Sequence, residues 1–191
     1  TRIRSVSAWS TLGWFKDPIL SNMLNNTEAK MAETLFHELT HSTLFLKNQL
    51  QFNENLASFI GKKASIDYLT FFYGPNANQI TDYLLAIEDS EKFRQHLLRG
   101  KQSLNRLYKS FSDVDDLNFK AAEKNKTIRS IVNHLDTIKF SNVNYYNVFN
   151  KSLPNNAYFM SYTRYYAEEH KLDSIFNYYE KDFKKFINHY K

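Results

Sequence analysis

The chain has 191 residues, 42% hydrophobic and 16% aromatic, with four Gly, three Pro and no Cys. That composition excludes disorder, a disulfide framework and any thiolate metal site, and it suits one mainly helical domain with a true core. The net charge of +5 comes from 25 Lys+Arg against 20 Asp+Glu; Arg94, Arg99, Arg106, Arg129 and Arg164 are scattered and the tail lysines (Lys181, Lys184, Lys185, Lys191) read as a solvated basic face, so no nucleic-acid partner is expected.

Residues 2–10 alternate polar and apolar side chains and read as a short edge strand already under way, which makes the chain read as the C-terminal part of a longer protein. Asp17-Pro18 reads as a cap followed by proline at the first helical position, opening a short helix to Leu24. Ala29 to about Leu50 contains neither Gly nor Pro. Asn25 or Thr27 can cap it, Glu28 and Glu33 suit its positive end, and Met31, Leu35, Leu39 and Leu46 mark its apolar side.

That helix carries His37-Glu38-Leu39-Thr40-His41, an H-E-x-x-H motif. Residues four apart share one helix face, so His37 and His41 can hold one metal ion between two imidazoles, with Glu38 beside them as base for a metal-activated water. A catalytic zinc needs a third protein ligand and an open position. Glu54 lies thirteen residues past His41, a gap that fits the end of the first helix, a turn, and a second helix starting near Asn53, which would cap it. A helix packed antiparallel to the first would return the Glu54 carboxylate to the metal.

Beyond Gly61, helix continues over Ala64–Tyr73 and stops at Gly74-Pro75. Residues 78–111 and 117–138 read as two long helices joined by an acidic turn, an antiparallel hairpin inserted over 76–140. The metal-site core then comprises residues 1–75 and 141–191. Asn155 or Asn156 caps a helix through Glu169, and Leu172–Tyr190 forms the last helix. No run of eighteen apolar residues spans a bilayer.

H-E-x-x-H followed by Asn53-Glu54-Asn55-Leu56-Ala57 (N-E-x-x-A) resembles the gluzincins, whose third zinc ligand is a glutamate on the next helix. With Val6-Ser7-Ala8-Trp9-Ser10-Thr11-Leu12-Gly13-Trp14-Phe15-Lys16-Asp17-Pro18 upstream and Asn155-Asn156-Ala157 with Tyr162 and Tyr165 downstream, the chain is similar to a bacterial family of predicted aminopeptidases; Trp9 stands where that family usually has Tyr. The resemblance implies a zincin-like fold (mainly α, α+β) with the N-terminal strand above the cleft, one Zn2+ ion on His37, His41 and Glu54, and a peptide substrate. It implies Glu38 as general base and a downstream Tyr, Tyr162 or Tyr165, as oxyanion donor. It also implies an N-terminal region, often with an export or lipid-anchor signal, and thus a cell-envelope location; a cytoplasmic one stays open. Asn53, Ser58 and Asn156 are expected to orient ligands or contact substrate, and Asp17 to hold the substrate amine. Endopeptidase activity is the open variant. The alternative of another class is a non-catalytic helical envelope-associated binding protein with a relict or structural metal site.

Overall fold

The computed structural model describes residues 21–162 and 169–191, and among these the regular structure is helical, with no strand. The strand expected at 2–10 lies outside the described residues. The elements are a 3-10 turn Ser21–Asn25, then α1 Glu28–Thr43, α2 Leu50–Tyr73, α3 Asn78–Ser110, α4 Leu117–Asn133, α5 Asn156–Ser161, α6 Glu169–Tyr178 and α7 Phe183–Asn188. The described residues cluster into two units, 21–83 with 169–191 and 84–162.

In the first unit α1 starts where Thr27 accepts the Lys30 amide at 3.3 Å. It ends at Thr43, short of the expected Leu50. Thr40, Ser42 and Thr43 turn their hydroxyls back onto the carbonyls of Phe36, Glu38 and Leu39, which weakens helix propagation. The side chain of Asn53 then takes both backbone groups of Leu46, accepting its N–H at 2.9 Å and donating to its carbonyl at 2.8 Å. Asn48 turns the connection at φ 64°, a left-handed position that Asn tolerates.

α2 begins at Leu50, so Asn53 is not a cap but a buried residue of its first turn. The helix runs unbroken through Gly61 to Gly74, whose φ of 83° ends it. α1 and α2 pack along each other. The inner face of α1 is Ala29, Ala32, Thr40 and His41, whereas Leu39 is 58% exposed. The cause is helical phase: Leu39 sits two residues from each histidine, about 200° around the axis, so it points away from the face that both share. Glu28 accepts hydroxyls from Tyr68 and Tyr73, both at 2.6 Å, tying the start of α1 to the end of α2.

The far side of α2 holds the C-terminal helices. Leu56, Phe59 and Ile60 meet Leu44, Leu172, Phe176 and Phe186 in one core, with Phe59 packed on the rings of Phe176 and Phe186. Each such side chain contributes about 1.5–3 kcal/mol on burial. Lys62 pairs with Glu169 at 2.9 Å and Lys63 with Asp173 at 2.6 Å. The single last helix expected over Leu172–Tyr190 is two. The chain reverses through Glu180 (φ 54°) and Lys181 (φ 63°), and Asp182 caps α7 by accepting the Lys185 amide.

In the second unit α3 and α4 pack as a hairpin around Phe93, Leu97, Leu104, Ile128, Ile131 and Leu135. Phe149 and Phe159 complete that core, so residues 141–162 pack with the hairpin. Buried Asp89 accepts the amides of Ser141 and Asn142 at 3.0 and 2.7 Å and anchors the returning chain. No helix among the described residues is long and apolar enough to cross a membrane.

Candidate metal centre

The α1–α2 pair brings three side chains to one point. His41 Nε2 lies 3.2 Å from His37 Nε2, Glu54 Oε2 lies 3.6 Å from His37 Nε2, and Glu54 Oε1 lies 3.5 Å from His41 Nε2. Helical spacing on α1 supplies the two rings. The Asn53 clamp fixes where α2 starts, and so places the next residue, Glu54, opposite them. His41 is buried, while His37 and Glu54 keep partial access to solvent.

These three groups could hold a metal ion. Two donors of a tetrahedral site with bonds of about 2.0–2.1 Å stand about 3.3 Å apart; the two ring nitrogens are 3.2 Å apart, each carboxylate oxygen approaches one ring at 3.5 or 3.6 Å, and one donor atom from each residue lies within 4.8 Å of the other two. Two ring nitrogens and a carboxylate are a donor set that suits a divalent cation. Burial, then the neighbouring His37, holds His41 below the ordinary imidazole range, against the opposing pull of Glu54. The adjacent His37 imidazole leads in holding Glu54 below the usual carboxylate range, with burial opposing it and the charge of His41 assisting. Neutral imidazole and ionised carboxylate are the metal-binding forms.

Both shifts carry a pH prediction for the metal-free protein. As pH falls through about 6.5, the ordinary value for His, the unfolded chain protonates His41 before the folded chain does. Stability is therefore full above that range and declines below it, with a further decline from Glu54 in the acid range. Thermal unfolding of chelator-treated protein should come at lower temperature at pH 5.5 than at pH 7.5, and His41→Gln should flatten that slope.

Around the site, Ser58 Oγ lies 3.5 Å from His37 Nδ1, a long contact on the ring edge away from Glu54. His41 Nδ1 is buried with no hydrogen-bond partner. Asn53 sits one residue from Glu54 with its amide spent on Leu46. Asn53→Ala should lower stability by about 1–3 kcal/mol, because two backbone groups lose their partner; urea unfolding measures this. Glu38, half-buried, is the residue after His37 on α1. Of the other predicted site residues, Asn156 and Tyr162 belong to the second unit. There Asn156 Oδ1 accepts the Tyr108 hydroxyl at 2.8 Å, and Tyr162 packs on Phe93 with its hydroxyl 3.2 Å from that of Tyr158. Asp17 and Tyr165 lie outside the described residues.

The whole chain, residues 1–191, matches one family, described as "Putative aminopeptidase". The chain belongs to that family. No curated protein and no solved structure matches the chain at a significant level. Within this aminopeptidase family member, sequence reading passed over Gly61, which lies against His37. Its signal is present in the sequence: Ala57, Gly61 and Ser65 are small residues four apart on one face of α2.

Proposed function

We propose that the protein is a zinc-dependent peptidase of gluzincin type, acting as an aminopeptidase, with His37, His41 and Glu54 as the zinc ligands. The observation that carries this reading is the convergence of both ring nitrogens and the Glu54 carboxylate, one donor atom from each lying within 4.8 Å of the other two, and membership of an aminopeptidase family supports the substrate class. When bound, zinc acidifies a water and polarises the scissile carbonyl. Glu38, next to His37 on the same helix, is the base that takes the proton of the attacking water and returns it to the departing amine. Two ring nitrogens and a carboxylate bind the metal through lone pairs. Tyr165 donates its hydroxyl to the tetrahedral oxyanion, and Asp17 holds the substrate's free amine. The segment 2–10 is the strand along which an extended peptide adds, completing a zincin-like core.

The reading is tested by incubating the purified chain with a peptide library bearing free or blocked N-termini, before and after chelation. Cleavage from free N-termini that chelation removes and zinc restores is the expected result. Equal cleavage of blocked peptides would make the enzyme an endopeptidase, and activity that survives chelation would remove the zinc mechanism.

A further inference from the structure

We propose that Gly61 is a positioning residue of the metal centre: it sets the separation of α1 and α2 at which Glu54 reaches both histidines. This rests on the zinc reading above. A Cβ at residue 61 would stand 2.8 Å from the Glu33 carbonyl oxygen and 3.5 Å from both the Cβ and the backbone N of His37. The closest obstacle is α1 backbone, which cannot rotate away as a side-chain tip can. The collision falls one turn before His37 and at His37 itself.

Glycine within a helix is less favourable than alanine. Here it sits mid-way along a long helix, buried, at no turn and with no positive φ. Close approach of the two helices is the property it supplies. The same seam is made of small buried residues: Ala57 and Ser65 are each 0% exposed one turn either side of Gly61 on α2, and Ala29 and Ala32 are buried on α1. Glu54 projects from α2 two turns before Gly61, and His37 from α1 directly across from it. Widening the seam at Gly61 therefore separates Glu54 from the two rings. Clearing the 2.8 Å contact requires a displacement of about half an ångström, comparable to the roughly 0.5 Å tolerance of a working ligand constellation.

The test is zinc affinity of the full chain by competition with a chromophoric chelator, together with the visible spectrum of the Co2+ form. Gly61→Ala should weaken zinc binding by at least about 10-fold, the scale of losses when groups supporting metal ligands are removed, and should alter the Co2+ spectrum. Gly100→Ala is the control for general destabilisation. Its Cβ would meet Ile131 Cγ2 at 2.8 Å and Phe159 at 3.2 Å in the other unit, so it should lower Tm and leave zinc affinity and the Co2+ spectrum unchanged. Wild-type affinity and spectrum in folded Gly61→Ala would overturn the inference while leaving the zinc reading intact. Failure of the wild-type chain to bind zinc would overturn both. Should Gly61→Ala not fold, Ala57→Ser, one turn nearer Glu54 on the same seam, takes its place with the same two outcomes.

Discussion

Glu38→Gln should leave zinc affinity within a few fold of wild type and reduce peptide hydrolysis by at least about 100-fold, the lower end of what a positioned general base supplies. The amide keeps the shape of the carboxylate but cannot take a proton from water. The prediction separates Glu38 from its neighbours. The ring nitrogens and the Glu54 carboxylate form the donor triangle without it, so its loss should fall on kcat. Single-turnover kinetics on a free N-terminal peptide, alongside a zinc titration, gives both numbers. Unchanged turnover would remove Glu38 as the base. A parallel loss of zinc would make it part of the metal's support.

Glu54→Ala should produce the opposite pattern, with the metal lost first and activity lost as a consequence. Removing the carboxylate leaves two imidazoles on one helix and no third protein donor from α2. Zinc affinity should fall by more than about 100-fold, beyond the 10–100-fold that removal of a supporting group costs. Stability of the metal-free protein should fall modestly at neutral pH, because the ionised Glu54 interacts there with the two imidazoles. Elemental analysis after dialysis against a weak chelator measures occupancy. Full occupancy in Glu54→Ala would assign the third ligand elsewhere, and Glu54→Asp, with a shorter reach from α2, should retain part of the binding.

What the sequence made legible and what it did not have a common cause. Helical spacing alone places His37 and His41 on one face, because four residues are close to one turn. The same phase turns Leu39 outward, yet an apolar residue inside an apolar run reads as core. Glu54 reaches the histidines through a connection whose geometry depends on one side chain, Asn53, gripping Leu46 seven residues earlier. No periodicity encodes that contact, and Asn beside a helix start reads as a cap. Gly61 is unfavourable inside a helix by intrinsic propensity, and tertiary packing overrides that preference because the space beside it is filled by α1. The division of the last helix turns on left-handed Glu180 and Lys181, residue types that give no warning of a turn. Membership of a family covering the whole chain agrees with the three separated motifs that suggested it.

X-ray absorption at the zinc edge of the loaded 191-residue chain, with stoichiometry by elemental analysis, addresses the donor set directly. One zinc per chain, with two imidazole nitrogens at about 2.0–2.1 Å, oxygen donors for the remainder and no sulfur, is the predicted result. The imidazole contribution should be halved or the metal lost in His41→Ala. A chain that takes up no zinc, or a zinc whose imidazole shell is unchanged in His41→Ala, would contradict the assignment of His37, His41 and Glu54.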